Sequence, residues 1–220
     1  MKNLLLAAAL LGTTISAPAF ADPISGLFNT GVNAAGNGVT TGNGADLHWT
    51  LAGSPAFNGG TNGQFPIGPW LEETSTSRWL TPTGNASDGV AAGDYDYVLT
   101  FDLTGFNSTT ASFTARAAAD DGGQLFLNGL SFGTVGDFTQ FTNGLTASSG
   151  FLPGVNTLLF RSTNGGGPAG ARLEFVSSSV SALAGAVPEP ATWGMMLLGF
   201  GVAGYALRRR AKVRTNVSFA

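Results

Sequence analysis

The strongest constraint on this chain is a period of two. Tyr95, Tyr97, Leu99, Phe101 and Leu103 alternate with Asp94, Asp96, Val98, Thr100 and Asp102, which gives an extended segment one apolar face. Phe113, Ala115 and Ala117 alternate with Ser112, Thr114 and Arg116 in the same way. Leu158 and Phe160 alternate with Thr157 and Arg161, and Leu173 and Phe175 with Arg172 and Glu174. Leu125 and Leu127 run into Asn128-Gly129, the commonest two-residue hairpin signal. Gly165-Gly166-Gly167-Pro168 punctuates the last two strand segments and reads as a turn. No window of the body has helical periodicity. Short strands separated by turn signals predict an all-β sandwich or barrel, and no fixed repeat points to a solenoid or propeller.

Composition narrows the chemistry. With 220 residues and 43% hydrophobic content, the chain can bury the core of one domain and carry appendages. The absence of cysteine excludes a disulfide framework, a zinc finger and a cysteine nucleophile. Five of the ten basic residues lie in the last thirteen positions: Arg208, Arg209, Arg210, Lys212 and Arg214. Residues 22–186 hold four bases against twelve acids and no lysine. Nucleic acid is therefore excluded as a partner, because there is no basic surface to displace its counterions.

The two ends read as addresses. Met1-Lys2-Asn3 precedes an apolar run from Leu4 to Ile15 and then Ala17-Pro18-Ala19-Phe20-Ala21. A basic start, a short apolar run and the small pair Ala19 and Ala21 predict a signal peptide over 1–21, cut before Asp22. At the far end, Ala191 to Leu207 is free of charge over seventeen residues, about 26 Å as a helix. That predicts a single transmembrane helix over 191–207, with Trp193 and Tyr205 near its ends and the basic tail 208–214 as a cytoplasmic stop. Residues 22–176 would form the β-sandwich body and 177–186 a small-residue linker. Pro188 and Pro190 keep Val187 to Pro190 extended.

The ordered trio of Pro188-Glu189-Pro190, the apolar segment from Trp193 and Arg208-Arg209-Arg210 resembles the PEP-CTERM sorting signal of exopolysaccharide-producing bacteria. The same motif is also catalogued as the ice-binding protein C-terminal domain. The resemblance implies recognition at Val187, Pro188, Glu189 and Pro190 by an exosortase-type membrane protease and inner-membrane anchoring in transit. Transfer to the cell surface or extracellular matrix would follow, with exopolysaccharide as the expected partner. A permanent anchor that nothing cuts is the alternative. The order of signals from Tyr95 to Val176 is similar to a galactose-binding-like jelly roll: the loop 118–123, the strand ending at Asn128-Gly129, the start Gly154-Val155-Asn156 and the final hairpin with Asn164. Phe28-Asn29-Thr30-Gly31-Val32, Asp46-Leu47-His48-Trp49-Thr50-Leu51 and Ser77-Arg78-Trp79-Leu80 resemble blocks found in the bodies of many PEP-CTERM proteins.

No catalytic constellation is legible, and the expectation is a protein that is not an enzyme. His48 is the single histidine, so a serine triad would rest on it alone. Trp49 and Trp79 are candidates for stacking on sugar rings or for the core. Arg116, Asp120, Asp121 and Asn128 could supply hydrogen bonds to hydroxyls. Asp120 and Asp121 either cap the turn before Gly122-Gly123 or hold a structural calcium, the one cofactor in prospect. The rival functional class is a matrix component that self-associates through strand edges.

Overall fold

The computed structural model describes residues 21–40, 43–58, 67–183 and 190–210. Ala19 of the expected signal peptide lies outside them, as do Val187, Pro188 and Glu189 and the tail beyond Arg210. The chain divides into a body, Phe20–Leu183, and a separate unit that includes the C-terminal helix.

The body is all-β. In chain order its strands are β1 (Ala21–Asp22), β2 (Gly44–Leu51), β3 (Ser54–Asn58), β4 (Leu80–Thr81), β5 (Gly93–Asp102) and β6 (Phe106–Asp120). They continue with β7 (Gly122–Leu127), β8 (Leu130–Val135), β9 (Thr142–Ala147), β10 (Val155–Asn164) and β11 (Gly170–Ala182). All pair antiparallel in one sheet of order β8-β7-β10-β5-β2-β3-β4-β11-β6-β9, with β1 added on β11. The sheet folds over so that its two edge strands meet: a Cβ on Gly133 of β8 would lie 2.6 Å from the Leu145 side chain of β9.

The alternation legible in the sequence fixes which faces turn inward. Tyr97, Leu99, Phe101 and Leu103 are buried, as are Phe113, Ala115 and Ala117, Leu125 and Leu127, and Leu158 and Phe160. They form one core. Asn128 and Gly129 both take positive φ, 49° and 84°, as the expected tight hairpin turn requires.

The three sequence blocks before β5 dock on one another. The Thr30 hydroxyl donates to the Arg78 carbonyl at 2.7 Å, and the Arg78 N–H returns a bond to the Thr30 carbonyl at 2.9 Å. Asp46 accepts from the N–H groups of Gly31, His48 and Trp49 at 2.8–2.9 Å. Gly31 is required here, because its φ is +72° and any Cβ would run into the Arg78 side chain. These blocks are thus a structural clasp. Segment 67–81 then covers the second face of β6, where Trp70, Trp79, Ala86 and Ala118 form a smaller core.

Two expected boundaries are corrected. The linker over 177–186 is strand as far as Ala182: Ser177, Ser178 and Ser179 pair with Thr114, Phe113 and Ser112, and Val180 and Ser181 pair with β1. Small hydroxyl side chains tolerate a pleated edge as well as a loop, so composition alone misread them. At the C-terminus, helix α1 spans Pro190–Arg210 and takes in Arg208, Arg209 and Arg210, where the sequence predicts a separate basic stop. Among the described residues no helix is long and apolar enough to cross a membrane, which corrects the expected span over 191–207. Gly194, Gly199, Gly201 and Gly204, with Trp193 and Tyr205, dilute the apolar content of α1.

Candidate functional site

The end of the body where β6 passes into β7 gathers the most unusual polar chemistry. Asp120 closes β6, pairs with Gly170 of β11 and is almost wholly buried. Its Oδ2 accepts the Trp70 indole N–H at 2.8 Å, and its backbone carbonyl accepts the buried Ser162 hydroxyl at 3.1 Å. The Asp120–Asp121 peptide bond is cis. Asp121 is exposed; its N–H donates to the Thr163 carbonyl at 2.7 Å and its Oδ2 accepts the Gly165 N–H at 2.8 Å. The two carboxyl groups come within hydrogen-bonding reach. Burial first, and then that Asp121 contact, push Asp120 up to about 7, while the Trp70 bond pulls the other way. Alternation along a regular strand would have set neighbouring side chains on opposite faces; the junction instead brings these two together.

Asn164 lies in the chain between Thr163 and Gly165, the two residues whose backbones hold Asp121. It is 3% exposed, and its amide donates to the carbonyls of Ala91 and Gly167 at 3.2 and 3.4 Å. Its Oδ1 is buried without a hydrogen-bond partner. An acceptor left in that state normally costs about 1–3 kcal/mol. Among the described residues no three acidic or histidine side chains cluster as a metal site. Asp120 and Asp121 nonetheless bring two carboxyl groups together, hard oxygen donors of the kind calcium takes.

Beside this cluster runs a groove of about 520 Å³ lined by Asp94, Asp121, Gln124, Thr134, Arg161 and Thr163, with Gly122, Gly123 and Val135 between them. Arg161 is clamped in place by Asp96, with Nε to Oδ1 and Nη2 to Oδ2 both at 2.7 Å. The Thr163 hydroxyl donates to Asp94 Oδ1 at 2.8 Å. The walls offer both donors and acceptors in fixed positions, which suits a polar, hydroxyl-rich ligand better than an apolar one.

The other expected ligand residues lie elsewhere. Trp49 and Trp79 are fully buried, so neither can stack on a ligand. The indole of Trp49 donates to the Phe28 carbonyl at 3.1 Å, and that of Trp79 to the Leu71 carbonyl at 2.8 Å. Trp79 also packs against Trp70 at 4.5 Å. Asn128 belongs to the opposite end of β7, where its amide bonds the Gly150 carbonyl and Asn156 Oδ1 at 2.8 Å and fixes a turn. Arg116 shares the β6 face of Asp120 but is committed to Glu174, Nε to Oε2 at 2.8 Å, with its guanidinium 4.5 Å over Phe141. Glu174 is buried against Arg172, whose guanidinium reaches Ser77 Oγ and the Glu72 carbonyl, both at 2.6 Å. Burial raises the Glu174 carboxyl, but the Ser77 hydroxyl and Arg116 outweigh it and hold the group below its ordinary value. This network pins segment 67–81 to the sheet. His48 stacks on Phe28 at 3.6 Å and bonds the Asn33 carbonyl through Nε2 at 2.9 Å.

Comparison with known proteins bears on the tail. The family model of the PEP-CTERM protein-sorting motif matches residues 186–210. The chain thus carries a sorting signal that implies export by way of exosortase, a membrane enzyme, and passage toward the cell surface. No curated protein and no solved structure matches the chain.

Proposed function

We propose that this is an exported, non-enzymatic surface or matrix protein whose jelly-roll-like body, of the galactose-binding kind, binds the hydroxyls of an exopolysaccharide with calcium at Asp120, Asp121 and Asn164. The observations that carry the reading are the paired carboxyls of Asp120 and Asp121 and the polar groove lined by Asp121, Arg161 and Thr163, with the unpartnered Asn164 Oδ1 one residue from the Thr163 and Gly165 backbones that hold Asp121. A bound calcium would keep both carboxylates ionised and present open coordination positions toward the groove. Arg161 and Thr163 would orient the sugar. Signal-peptide removal at Ala21 and exosortase cutting near Pro188-Glu189-Pro190 would deliver the body to the outside.

The self-association reading has less support, because Leu145 of β9 lies on Gly133 of β8 and the two sheet edges shield one another. A hydrolase built on His48 has less still, since that ring is occupied by Phe28 and Asn33. A glycan array of neutral and acidic polymers, run with calcium and then with chelator, tests the proposal. Calcium-dependent binding to at least one polymer is expected; no binding in either condition, native matrix included, would contradict it.

A further inference from the structure

β11 marks two poles of the body. Its first residue, Gly170, pairs with Asp120, and its last, Ala182, pairs with Phe106. At roughly 3.3 Å per residue its thirteen residues put about 40 Å between them. The groove and the Asp120–Asp121–Asn164 cluster occupy the first pole.

Both chain ends leave from the second. Ala21 pairs with Ser181, and the Leu183 N–H donates to the Gly105 carbonyl at 2.9 Å. The neighbouring loops are tied to the same place. Leu103 N–H donates to the Gly154 carbonyl at 2.9 Å, and a Cβ on Gly150 would lie 3.0 Å from Leu130. These loops lift apolar side chains into solvent: Leu130 is 60% exposed, Leu152 50%, Val155 65% and Leu183 55%. Asp102 pairs opposite Val155 and Asp22 opposite Val180, so the charge beside this patch is acidic and a neutral surface fits it better than an anionic one. Six residues, 184–189, lie between Leu183 and Pro190 in the sequence. The motif that begins there is read by a membrane enzyme.

We propose that the pole bearing Leu130, Leu152, Val155 and Leu183 rests on the lipid surface while the tail is engaged, which holds the groove on the far side of the body. The lipid contact stands on the apolar loops and the exit of the tail; only the meaning of the distant groove rests on the polysaccharide reading.

The chain has no cysteine, so one introduced cysteine carries one label. The full chain, labelled with a fluorophore at Thr104→Cys or at Thr134→Cys, is reconstituted with phosphatidylcholine vesicles containing headgroup-nitroxide lipid. The label at 104 is expected to be quenched at least about twofold more than the label at 134, and L130S/L152S/V155S to abolish that difference. Equal quenching, stronger quenching at 134, or a difference that survives the triple substitution would overturn the proposal. So would disulfide dimers of the unlabelled Thr104→Cys chain under oxidising conditions, which would assign the patch to a second copy. The measurement needs neither calcium nor sugar, so its failure is distinguishable from failure of the binding reading.

Discussion

Asp121 accepts the backbone N–H of Gly165 at 2.8 Å, and this bond ties the β6–β7 junction to the loop between β10 and β11. Asn164 immediately precedes that glycine and carries a buried amide oxygen without a hydrogen-bond partner. We expect calcium at about 100 times its dissociation constant to stabilise the full chain by about 2–3 kcal/mol, read as a rise in Tm over the chelated protein. D121N should abolish most of that rise while leaving the calcium-free Tm close to that of the parent, whereas N164A should also lower the calcium-free Tm, because its amide bonds to the Ala91 and Gly167 carbonyls are lost.

Trp49 and Trp79 hold the body together. Either changed to Ala is expected to cost about 3–5 kcal/mol in denaturant unfolding, through lost contacts and the cavity left behind. Polysaccharide binding by the fraction that remains folded should be unaltered, which would separate these residues from the ligand site.

Arg172 and Glu174 are both buried, and the guanidinium makes the contacts that fasten segment 67–81. R172M should destabilise by about 3–5 kcal/mol, because it leaves the Glu174 carboxylate in the interior with half its compensation gone. R172M/E174M should recover a large part of that loss, and a double-mutant cycle in urea measures the coupling.

Glu73 supplies a pH dependence. Burial pushes its carboxyl up to about 7, although Arg78 pulls it down. The folded state therefore holds a proton that the unfolded chain has released. The contribution is fully present below about pH 4.5, the ordinary value, and is lost as pH rises through about 7. The stability difference between parent and E73Q should shift against the parent by on the order of 2 kcal/mol between pH 5 and 8, measured by denaturant titration in chelator. A difference that is flat with pH would remove Glu73 as the cause.

Much of the body was legible because a period of two is a direct record of which side chains face inward. Tyr97, Leu99 and Phe101 are buried as their alternation requires, and the sorting motif is a local signal that needs no fold. The ligand site was only half legible. Asp120 and Asp121 could be singled out as hard ligands next to glycines, but their meeting depends on the backbone at one junction, and the bonds from Asp121 to Thr163 and Gly165 span more than forty residues. Tryptophan offers no composition-level distinction between a core and a stacking platform, so Trp49 and Trp79 were misplaced as ligand candidates. The serine run at 177–179 has no apolar alternation to mark it as strand; its partners on β6 supply the order.

The most direct measurement of the central claim is co-sedimentation of the full chain with the producer's own exopolysaccharide, in calcium and in chelator, for the parent and for D121N. The account expects the parent to pellet in calcium and to stay in solution in chelator, with D121N in solution under both conditions. Equal partitioning of parent and D121N, with or without calcium, would contradict it.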